Sequence, residues 1–385
     1  MPININTFHA GSYEQQYEYK SFLPTAINKE WQVDPKTLTL LEEATLLLGE
    51  LNAYSQLIPD VDFFIRMHIT KEATTSSRIE GTQTNFDEAL VNESDVDPEK
   101  RLDWQEVQNC IKAINYAIQQ LPTLPLSNRL IKETHAVLLQ GVRGKHKFPG
   151  DFRTSQNWIG INLKHATFIP PHHDHVPVLM SDLEQFMHNE AIHVPHLIKI
   201  AIIHYQFETI HPFLDGNGRL GRMLIVLYLV SFGLLHKPAL YLSDFFERHK
   251  AEYYGELMAV RTTSKLEPWL RFFLLGISEI AAQSSQVFKN ILTLKEGLER
   301  EAIPTFHARR IHNAQTLMRL LYESPVVTIK SVAERLKVQT NTAAALITDF
   351  IKLDILREMT GQKRNRLFIF AAYVRLFQGE TDQSS

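Results

Sequence analysis

Glycine and proline are scarce in this sequence, and their scarcity limits the folds open to it. Only 16 Gly and 17 Pro occur in 385 residues, and the long stretches between them place apolar residues three and four positions apart. Because that spacing gives a helix one apolar face, the pattern predicts a mainly α protein. The predicted helices cover residues 35–55, 63–80, 104–120, 126–139, 177–189, 195–210, 219–232, 245–262 and 268–300.

Residues 150–176 interrupt the helical pattern. They read GDFRTSQNWIGINLKHATFIPPHHDHV and mix β-forming residues with turn residues. We expect a short β-hairpin between helices here, rather than a sheet.

The last part of the chain, residues 305–378, follows a different order. A helix-like stretch at 309–322 precedes SVAERL, KVQ and TNTAAALITDFIKL, which predict a short helix, a tight turn and a second helix. ILREM, TGQKRN and RLFIF then alternate as strand, basic turn and strand. This order predicts a small winged helix-turn-helix domain. The segment holds 12 basic and 5 acidic residues, so the remainder must be acidic to give the net charge of -3.

Composition excludes several classes of protein. With 44% hydrophobic and 22% charged residues, the chain is neither disordered, nor collagenous, nor disulfide-rich. Its one cysteine, Cys110, lies in a predicted helix among apolar residues, and we expect a buried, inert thiol. The N-terminus lacks the features of a secretory signal, and the longest apolar run, 223–235, is too short to span a bilayer, so we expect a cytoplasmic protein with a buried helix there.

The most informative segment is HPFLDGNGRLGR, residues 211–222. Its GxGxxG spacing matches a dinucleotide-binding fingerprint, but the preceding residues predict a helix instead of a strand, and no acid follows at the required distance. The segment predicts an anion site instead. Gly216, Asn217 and Gly218 permit a tight turn whose backbone N–H groups face one point, directly before an apolar helix.

The charged residues of this segment point to a polyphosphate. Arg219 and Arg222 stand at a helix start, where a positive charge opposes the helix dipole, and a bound anion explains them better than helix stability does. Asp215 would be repelled by phosphate unless a cation such as Mg²⁺ lay between them. His211 supplies a group that accepts a proton near neutral pH.

The whole segment resembles the signature of the Fic family, H-x-F-x-D/E-G-N-G-R-x-x-R, at every defined position. The resemblance implies a Fic-type helical core with the hairpin as a flap, and transfer of AMP from ATP to a Ser, Thr or Tyr hydroxyl of a protein with Mg²⁺. It implies that His211 is the base, Asp215 the metal ligand and Phe213 a core anchor. The implied nucleotide-binding residues are Gly216, Asn217, Gly218, Arg219, Leu220, Gly221 and Arg222.

A second motif, SSRIEG at residues 76–81, resembles the inhibitory S/T-x-x-x-E-G/N motif that some Fic proteins carry on the N-terminal side. Glu80 would stand at the end of a helix capped by Gly81, where a carboxylate is unfavourable without a partner. We expect Glu80 to pair with Arg222 and to keep the γ-phosphate of ATP away from it. Ser76, one turn earlier, would hold the helix by a hydrogen bond.

Two further features carry weaker predictions. FERHKAEYYGEL resembles the family helix that closes over adenosine, and Tyr254 is the candidate nucleotide contact, with a core aromatic as the alternative. His172, His173, Asp174 and His175 suggest a metal cluster, but adjacent side chains should point in different directions, so we expect no metal there.

The basic C-terminal segment leaves its partner open. Lys363, Arg364 and Arg366 in the wing could neutralise DNA phosphates, and Thr340, Asn341 and Thr342 open the second helix, where base contacts are usual. The middle of that helix has no Lys or Arg, which favours protein docking or assembly over DNA.

These features divide the chain and leave three functions to compare. The predicted regions are an N-terminal helical region with the inhibitory helix (1–124), a Fic core (125–276), a linker helix (277–304), the winged helix-turn-helix (305–378) and a tail (379–385). An autoinhibited AMP-transferase is the leading function. The alternatives are the reverse hydrolysis, in which Glu80 activates water, and a DNA-binding regulator whose body senses nucleotide. The resemblance also implies a homodimer, and nothing in the sequence suggests a membrane partner.

Overall fold

The computed structural model describes residues 3–58, 60–141, 143–361 and 366–378, and the described part is mainly helical, as predicted. The helices are α1 (Pro35–Leu57), α2 (Val61–Ile79), α3 (Phe86–Ala89), α4 (Arg101–Gln120), α5 (Asn128–Leu138), α6 (Val176–His188), α7 (His196–Ile210), α8 (Asn217–Ser231), α9 (Ser243–Arg248), α10 (Lys250–Thr263), α11 (Glu267–Gly297), α12 (Ala308–Glu323), α13 (Ile329–Leu336), α14 (Thr340–Lys352) and α15 (Ala371–Arg375).

The strands form four small sheets. β1 (Ile3–Asn4) pairs with β4 (Trp31–Gln32), and β2 (Gly11–Gln15) forms a hairpin with β3 (Lys20–Pro24). β5 (Ile159–Gly160) and β6 (Ala166–Phe168) form the predicted flap hairpin. β7 (Val326–Thr328), β8 (Arg357–Glu358) and β9 (Leu367–Ile369) make an antiparallel sheet in the order β7-β9-β8.

The core is built around α7 and α8, the two most buried helices. Their predicted ranges, 195–210 and 219–232, differ from the observed ones by one or two residues. The apolar side chains from Met223 to Leu229 are almost fully inaccessible, as expected for a buried helix. No helix in the described part of the chain has the length and apolar character that crossing a membrane requires. Cys110 is buried on α4, and burial raises the pKa of its thiol to about 12, which makes it inert.

Three of the predicted elements need correction. The helix expected at 245–262 is broken at His249 into α9 and α10. The predicted boundary between core and linker at 276 lies inside α11, which runs without interruption to Gly297 and packs along α1. The N-terminal region, predicted to be helical, also carries β1 to β4.

We call residues 305–378 the C-terminal unit. Its elements run α12, β7, α13, α14, β8, β9, α15, which contains the predicted sequence of helices and strands together with two additional elements, β7 and α15. Lys363 and Arg364 lie outside the described residues. Arg366 is within them, and its guanidinium donates to Glu358 at 3.1 Å.

Candidate active site

The loop between α7 and α8 carries the predicted catalytic residues. α7 ends at His211, which adopts a left-handed conformation with φ of 50°. α8 begins after Gly216, which has φ of 76°, a value that favours glycine. The chain therefore reverses direction between two left-handed residues, His211 and Gly216.

Two polar side chains fix the backbone of this loop. Arg153 donates from Nε to the carbonyl of His211 at 3.0 Å, and from one Nη to the carbonyls of Ile210 and Pro171. Asn157 donates to the carbonyls of His211 and Phe213 at 3.0 and 2.8 Å. Arg153 and Asn157 are both buried, so these bonds hold His211 in place out of solvent.

Phe213 anchors the loop in the core, as predicted. Its side chain is fully buried and stacks on His135, with ring centroids 3.8 Å apart. His135 in turn contacts the carbonyl of Asp215 at 3.0 Å. Asn217 bonds both the N–H and the carbonyl of Phe213 through its side-chain amide, at 2.8 Å each. The side chain of Asn217 thus braces the loop, which leaves its backbone N–H for the anion binding predicted from sequence.

His211 is electrically neutral in this setting. Burial lowers the pKa of its imidazole to about 4, and the nearby charges of Arg261 and Arg153 act in the same direction. Its Nδ1 lies 3.8 Å from Oε2 of Glu208, a buried carboxyl whose pKa burial raises to about 7. A neutral imidazole can accept a proton, which is the role predicted for this residue.

The first turn of α8 carries the residues predicted to bind an anion. Gly216 offers no side-chain cap, so the N–H groups at the start of α8 have no side-chain acceptor from that residue. Arg219 and Arg222 are both buried on this helix, and Arg219 donates to Glu106 at 3.4 Å. Backbone N–H groups and two buried guanidinium groups therefore face one small region.

Leu220 and Gly221, predicted to bind nucleotide, belong to a different face of α8. Leu220 is 2% exposed and packs in the hydrophobic core. A Cβ at Gly221 would collide with the carboxylate of Glu208, so glycine is needed there for packing. The side-chain positions of both residues therefore face other parts of the core, Leu220 in the apolar cluster and Gly221 against Glu208.

Glu80 and Arg222 form the predicted ion pair. Nη2 of Arg222 donates to Oε1 of Glu80 at 2.6 Å. The same guanidinium donates to the hydroxyl of Ser76 at 2.8 Å and to the carbonyl of Ser76 at 2.9 Å. Groups at the end of α2 thus accept hydrogen bonds from both Nε and Nη2 of Arg222.

The Glu80 carboxylate lies directly over the start of α8. A Cβ added at Gly218 would collide with Oε1 of Glu80, and Gly218 has no left-handed backbone conformation to explain it. The sequence indicated a glycine needed for a turn. The structure shows instead a glycine needed for the close approach of a carboxylate, which occupies the predicted anion site.

The end of α2 holds Glu80 in this position. Gly81 has φ of 104°, and its N–H donates to the carbonyl of Arg78, while Thr82 donates to Ser77, a pattern that ends many helices. Burial alone would raise the pKa of Glu80, but the charge and hydrogen bond of Arg222 outweigh it and hold that pKa below its usual value. Glu80 is therefore ionised at neutral pH.

Asp215, the predicted metal ligand, is the most accessible acid of the loop. Its side chain is 44% exposed, and Oδ1 accepts from the N–H of Gly216 at 2.6 Å and lies 3.9 Å from Arg219. Among the described residues, no bond takes up Oδ2. An exposed carboxylate oxygen beside an anion site fits Mg²⁺, which keeps most of its ligands as water and phosphate oxygens.

Tyr254 lies on α10, next to the pair of Glu80 and Arg222. Burial raises its pKa, and the charge of Glu80 raises it further. The core aromatic in this segment is its neighbour Tyr253, which is 1% exposed and bonds His204 at 2.9 Å. Tyr254 is 43% exposed, which leaves its ring available to a ligand.

The side chains at 172–175 do not all diverge as expected. Donor atoms of His172, His173 and Asp174 all lie within 4.8 Å of one another. His175 turns away and meets Glu14 of β2 at 3.2 Å. The expected divergence therefore fails for His172, His173 and Asp174, which lie at the start of a short 3-10 turn at His173–His175, and holds for His175.

Sequence reasoning missed Arg153, Asn157 and His135. Each is a buried polar residue that bonds the loop from a segment 50 to 80 residues earlier in the chain. Arg153 and Asn157 lie in the segment already predicted to contain the flap hairpin. Nothing in the sequence pattern, however, indicates that they would bond to the carbonyl of His211.

Sequence reasoning also missed Lys250, an exposed residue that contacts the end of α2. Its Nζ donates to the carbonyl of Ile79 at 2.7 Å and so ties the start of α10 to the end of α2. A basic side chain near a helix C-terminus is a general signal, but here the helix belongs to another part of the chain.

Comparison with known families places most of these residues in two matched regions. The model described as Fic/DOC family N-terminal matches residues 38–119, and the model described as Fic/DOC family matches residues 125–229. The first region contains Ser76 and Glu80. The second contains the whole of 211–222 and the flap.

Curated relatives share part of this region. Protein adenylyltransferase Fic of Aedes aegypti is 31% identical over 124 residues, which is 32% of this chain and 22% of that protein. Protein adenylyltransferase fic-1 of Caenorhabditis briggsae is 28% identical over 153 residues, which is 37% of this chain and 28% of that protein. The match thus spans about a quarter of the length of these relatives.

Solved structures share the fold over a longer span. A Fic family protein from Desulfovibrio desulfuricans G20 has a TM-score of 0.55 at 18% identity and covers 88% of this chain and 97% of its own. A substituted fragment of Fic-1 from C. elegans has a TM-score of 0.53 at 20% identity, and the match covers 68% of this chain and 75% of that fragment. The helical arrangement is therefore one already seen in solved structures.

Proposed function

The chain belongs to the Fic/DOC family, and from this premise we propose that it is a protein adenylyltransferase that Glu80 inhibits. The matched curated relatives carry the name protein adenylyltransferase, which supports the activity. The observation that carries the inhibition is the Glu80 carboxylate, which lies over Gly218 and 2.6 Å from Arg222, within the anion site.

The proposed reaction begins with a proton transfer to His211. The neutral imidazole takes the proton of a target Ser, Thr or Tyr hydroxyl as that oxygen attacks the α-phosphorus of ATP. A bond forms between the target oxygen and the α-phosphorus, and the bond from that phosphorus to the oxygen bridging to the β-phosphate breaks. Pyrophosphate leaves, and AMP stays on the target.

The start of α8 would hold the phosphates. N–H groups from Asn217 and Gly218 favour a negative group at this helix start, and Arg219 and Arg222 supply positive charge for the β- and γ-phosphates. Asp215 would hold Mg²⁺, which when bound neutralises phosphate charge. The protein thereby positions and neutralises the reacting groups, which is the usual basis of catalysis in phosphate chemistry.

Inhibition follows from competition between two anions for Arg222. The Glu80 carboxylate and the γ-phosphate of ATP cannot both lie against Arg222 and Gly218, because they would fill the same space and two like charges in contact repel. ATP would therefore bind with its phosphates displaced from the position that the reaction needs. Movement of the end of α2 would remove the competing anion.

The flap would place the target hydroxyl near His211. β5 and β6 form a two-stranded hairpin after Asn157, and the side chains of Trp158 and Ile161 are exposed there. An extended target segment could pair with its free strand edge while its side chain reaches the imidazole. The order of target residues is not encoded in these two short strands.

For the C-terminal unit we propose protein docking rather than DNA binding. Asp349 on α14 accepts a hydrogen bond from Arg310 at 2.7 Å, and Glu358 accepts one from Arg366. Both basic side chains are thus already paired with acids. Thr340, Asn341 and Thr342 are exposed at the start of α14, but the rest of that helix has no Arg and only Lys352, at its end. A gel shift with the full chain tests this: binding to duplex DNA that weakens steeply with salt would favour DNA instead.

Labelled ATP tests the main proposal. Wild type, Glu80→Gly, Glu80→Gln and His211→Ala are each incubated with α-³²P-ATP, Mg²⁺ and a lysate of the source cell. Label should reach protein in both Glu80 variants several times faster than in wild type, and His211→Ala should abolish transfer. Transfer that survives His211→Ala would overturn the mechanism, and equal rates in wild type and both Glu80 variants would overturn the inhibition.

The same assay separates transfer from the reverse hydrolysis. Purified protein carrying labelled AMP is incubated with wild type and with Glu80→Gly. Release of free AMP by wild type alone would favour hydrolysis, with Glu80 activating water. Under the proposed function neither sample releases AMP at a rate comparable to transfer.

A further inference from the structure

The turn after the flap brings three metal-binding side chains together. Nδ1 of His172 lies 3.2 Å from Oδ2 of Asp174, and Nε2 of His173 lies 3.6 Å from Oδ1 of the same carboxylate. The two imidazole rings are 4.1 Å apart between centroids. This cluster is separate from His211 and Asp215 and has no part in the proposed reaction.

The spacing fits one small ion. A tetrahedral zinc ion with bonds of about 2.0–2.1 Å holds neighbouring ligand atoms about 3.3 Å apart. The contacts of 3.2 and 3.6 Å are close to this value but end at different oxygens of Asp174, so one ion would bind the carboxylate through both oxygens or after a small rotation of the carboxyl group. The donor set of two imidazoles and one carboxylate suits Zn²⁺ and similar transition metals, whereas Mg²⁺ prefers oxygen ligands alone.

Nδ1 of His173 is buried and, among the described residues, has no hydrogen-bond partner. Its Nε2 faces the carboxylate of Asp174. His175, bonded to Glu14, leaves a fourth position open to water.

We propose that His172, His173 and Asp174 form a site for one divalent transition metal ion of the zinc type. The ion would sit between the flap strand β6 and the start of α6, beside Pro171. The carbonyl of Pro171 accepts from Arg153 at 2.6 Å, and Arg153 also bonds the carbonyl of His211. Metal binding would stiffen the segment that anchors both the flap and the catalytic loop.

Zinc titration of the full chain tests this site. Chain without a polyhistidine tag is freed of metal with chelator, and ZnCl₂ binding is followed by calorimetry. Wild type should bind one equivalent, His173→Ala and His172→Ala should each weaken binding at least tenfold, and His175→Ala, a matched loss of imidazole in the same turn, should not. All three histidines are partly exposed, so the metal-free unfolding temperatures should match wild type.

Two results would overturn the proposal. One is zinc binding that is equal in wild type and His173→Ala, or absent at a chain concentration of 0.1 mM. The other is loss of binding in His211→Ala but not in His173→Ala, which would place the ion in the active site.

A separate observation concerns the opposite end of α2. Phe64 on α2 packs against Tyr373 of the C-terminal unit with ring centroids 6.1 Å apart, and His68 packs against Phe377 at 5.1 Å. All four side chains are at least nine-tenths buried. The first half of α2 is thus held by the C-terminal unit, and its last turn carries Ser76.

An ion pair and an open pocket lie at the edge of this contact between α2 and the C-terminal unit. Arg66 of α2 donates to Glu323 of α12 at 2.8 Å on the exposed side. A cavity of 460 Å³ lies beside it, lined in part by His68, Glu72 and Phe377.

From this arrangement we infer that the C-terminal unit controls the inhibitory position of Glu80. A helix rises about 1.5 Å per residue, so α2 is a stiff rod of about 18 Å between Phe64 and Ser76. A partner that draws the C-terminal unit away would shift or loosen α2 and with it the Glu80 carboxylate. This inference rests on the proposed inhibition by Glu80.

A double-mutant cycle tests the coupling. Phe377→Ala, Glu80→Gly and the double variant are compared for AMP transfer, with Phe350→Ala as a control that removes a phenyl ring packed on Phe306 inside the same unit. Phe377→Ala should raise transfer at least twofold, Phe350→Ala should not, and Phe377→Ala should add nothing in the Glu80→Gly background.

The outcomes separate the two ideas. A rise in Glu80→Gly without any rise in Phe377→Ala would overturn the coupling and leave the inhibition intact. No rise in Glu80→Gly would overturn the inhibition itself. An equal gain from Phe377→Ala in both backgrounds would also overturn the coupling, because the effect would not pass through Glu80.

Discussion

The carboxylate of Glu80 lies 2.6 Å from Nη2 of Arg222, although 142 residues separate them in the chain. The same carboxylate fills the space that a Cβ at Gly218 would need. One acid at the end of α2 therefore binds the guanidinium of Arg222 and covers the start of α8. Phosphate would otherwise bind at both places. The inhibitory contact and the proposed phosphate site are the same place.

Ser76 contributes to this contact and can be tested apart from Glu80. Ser76→Ala removes the hydroxyl that accepts from Nε of Arg222 at 2.8 Å, a bond to a charged group. Such bonds contribute about 1.5–3 kcal/mol, but the bond to the Ser76 carbonyl remains, so we expect a rise in AMP transfer on the order of twofold to fivefold. Initial rates with labelled ATP measure it.

Ser77→Ala is the matched control for this change. Ser77 is equally buried on the next position of α2, and the described residues include no bond from it to Arg222. It should leave the rate unchanged. A similar rise in both serine variants would mean that general loosening of α2, and not the bond to Arg222, relieves inhibition.

The pH dependence of transfer follows from the lowered pKa of His211. The neutral imidazole is the competent base, and its pKa of about 4 lies below the ordinary value of 6.5. Activity should therefore be retained as pH falls from 7 to 5 and be lost only as pH falls through about 4. The measurement is kcat/KM for ATP in the Glu80→Gly variant, with unfolding monitored at each pH. An acid limb centred near 6.5 would contradict the buried, neutral state of His211.

Much of the fold could be predicted from sequence because helices obey local rules. Apolar spacing located α7 and α8 to within two residues, and the pair of Glu80 and Arg222 followed from two short motifs. The break at His249 could not be predicted, since no Gly or Pro marks it and the surrounding apolar pattern continues across it.

The parts that were missed depend on contacts between distant segments. The hairpin of β2 and β3 gains support from the N–H of Phe22, which donates to the carbonyl of Ile169 beside the flap. Arg153 gains its role only when Pro171 and His211 are brought beside it. Neither of these contacts produces a periodic pattern that could be recognised in a single sequence.

Arg153 should act as a positioning residue for the reaction. Arg153→Lys keeps the charge but loses the fork that reaches the carbonyls of Ile210, His211 and Pro171 together. Because a small misplacement of a catalytic group can cost about a hundredfold in rate, we expect kcat to fall by tenfold or more. The KM for ATP should change less than threefold, since Arg153 bonds the loop backbone. The comparison is made in the Glu80→Gly background, and a fall confined to KM would contradict this role.

Two helical glycines should respond in opposite ways to alanine. At Gly221 a Cβ would collide with the carboxylate of Glu208 and lie 3.1 Å from the ring of Phe207, both buried. Overpacking of this kind costs about 1–3 kcal/mol, so Gly221→Ala should lower the free energy of unfolding. Gly255 on α10 has nothing within 4 Å of the same position, and alanine there should raise the free energy of unfolding by about 0.5–1 kcal/mol. Urea unfolding of both variants measures the difference. Equal stability of the two would mean that Glu208 can move aside, and the close packing of α7 on α8 would then not be what requires glycine at this position.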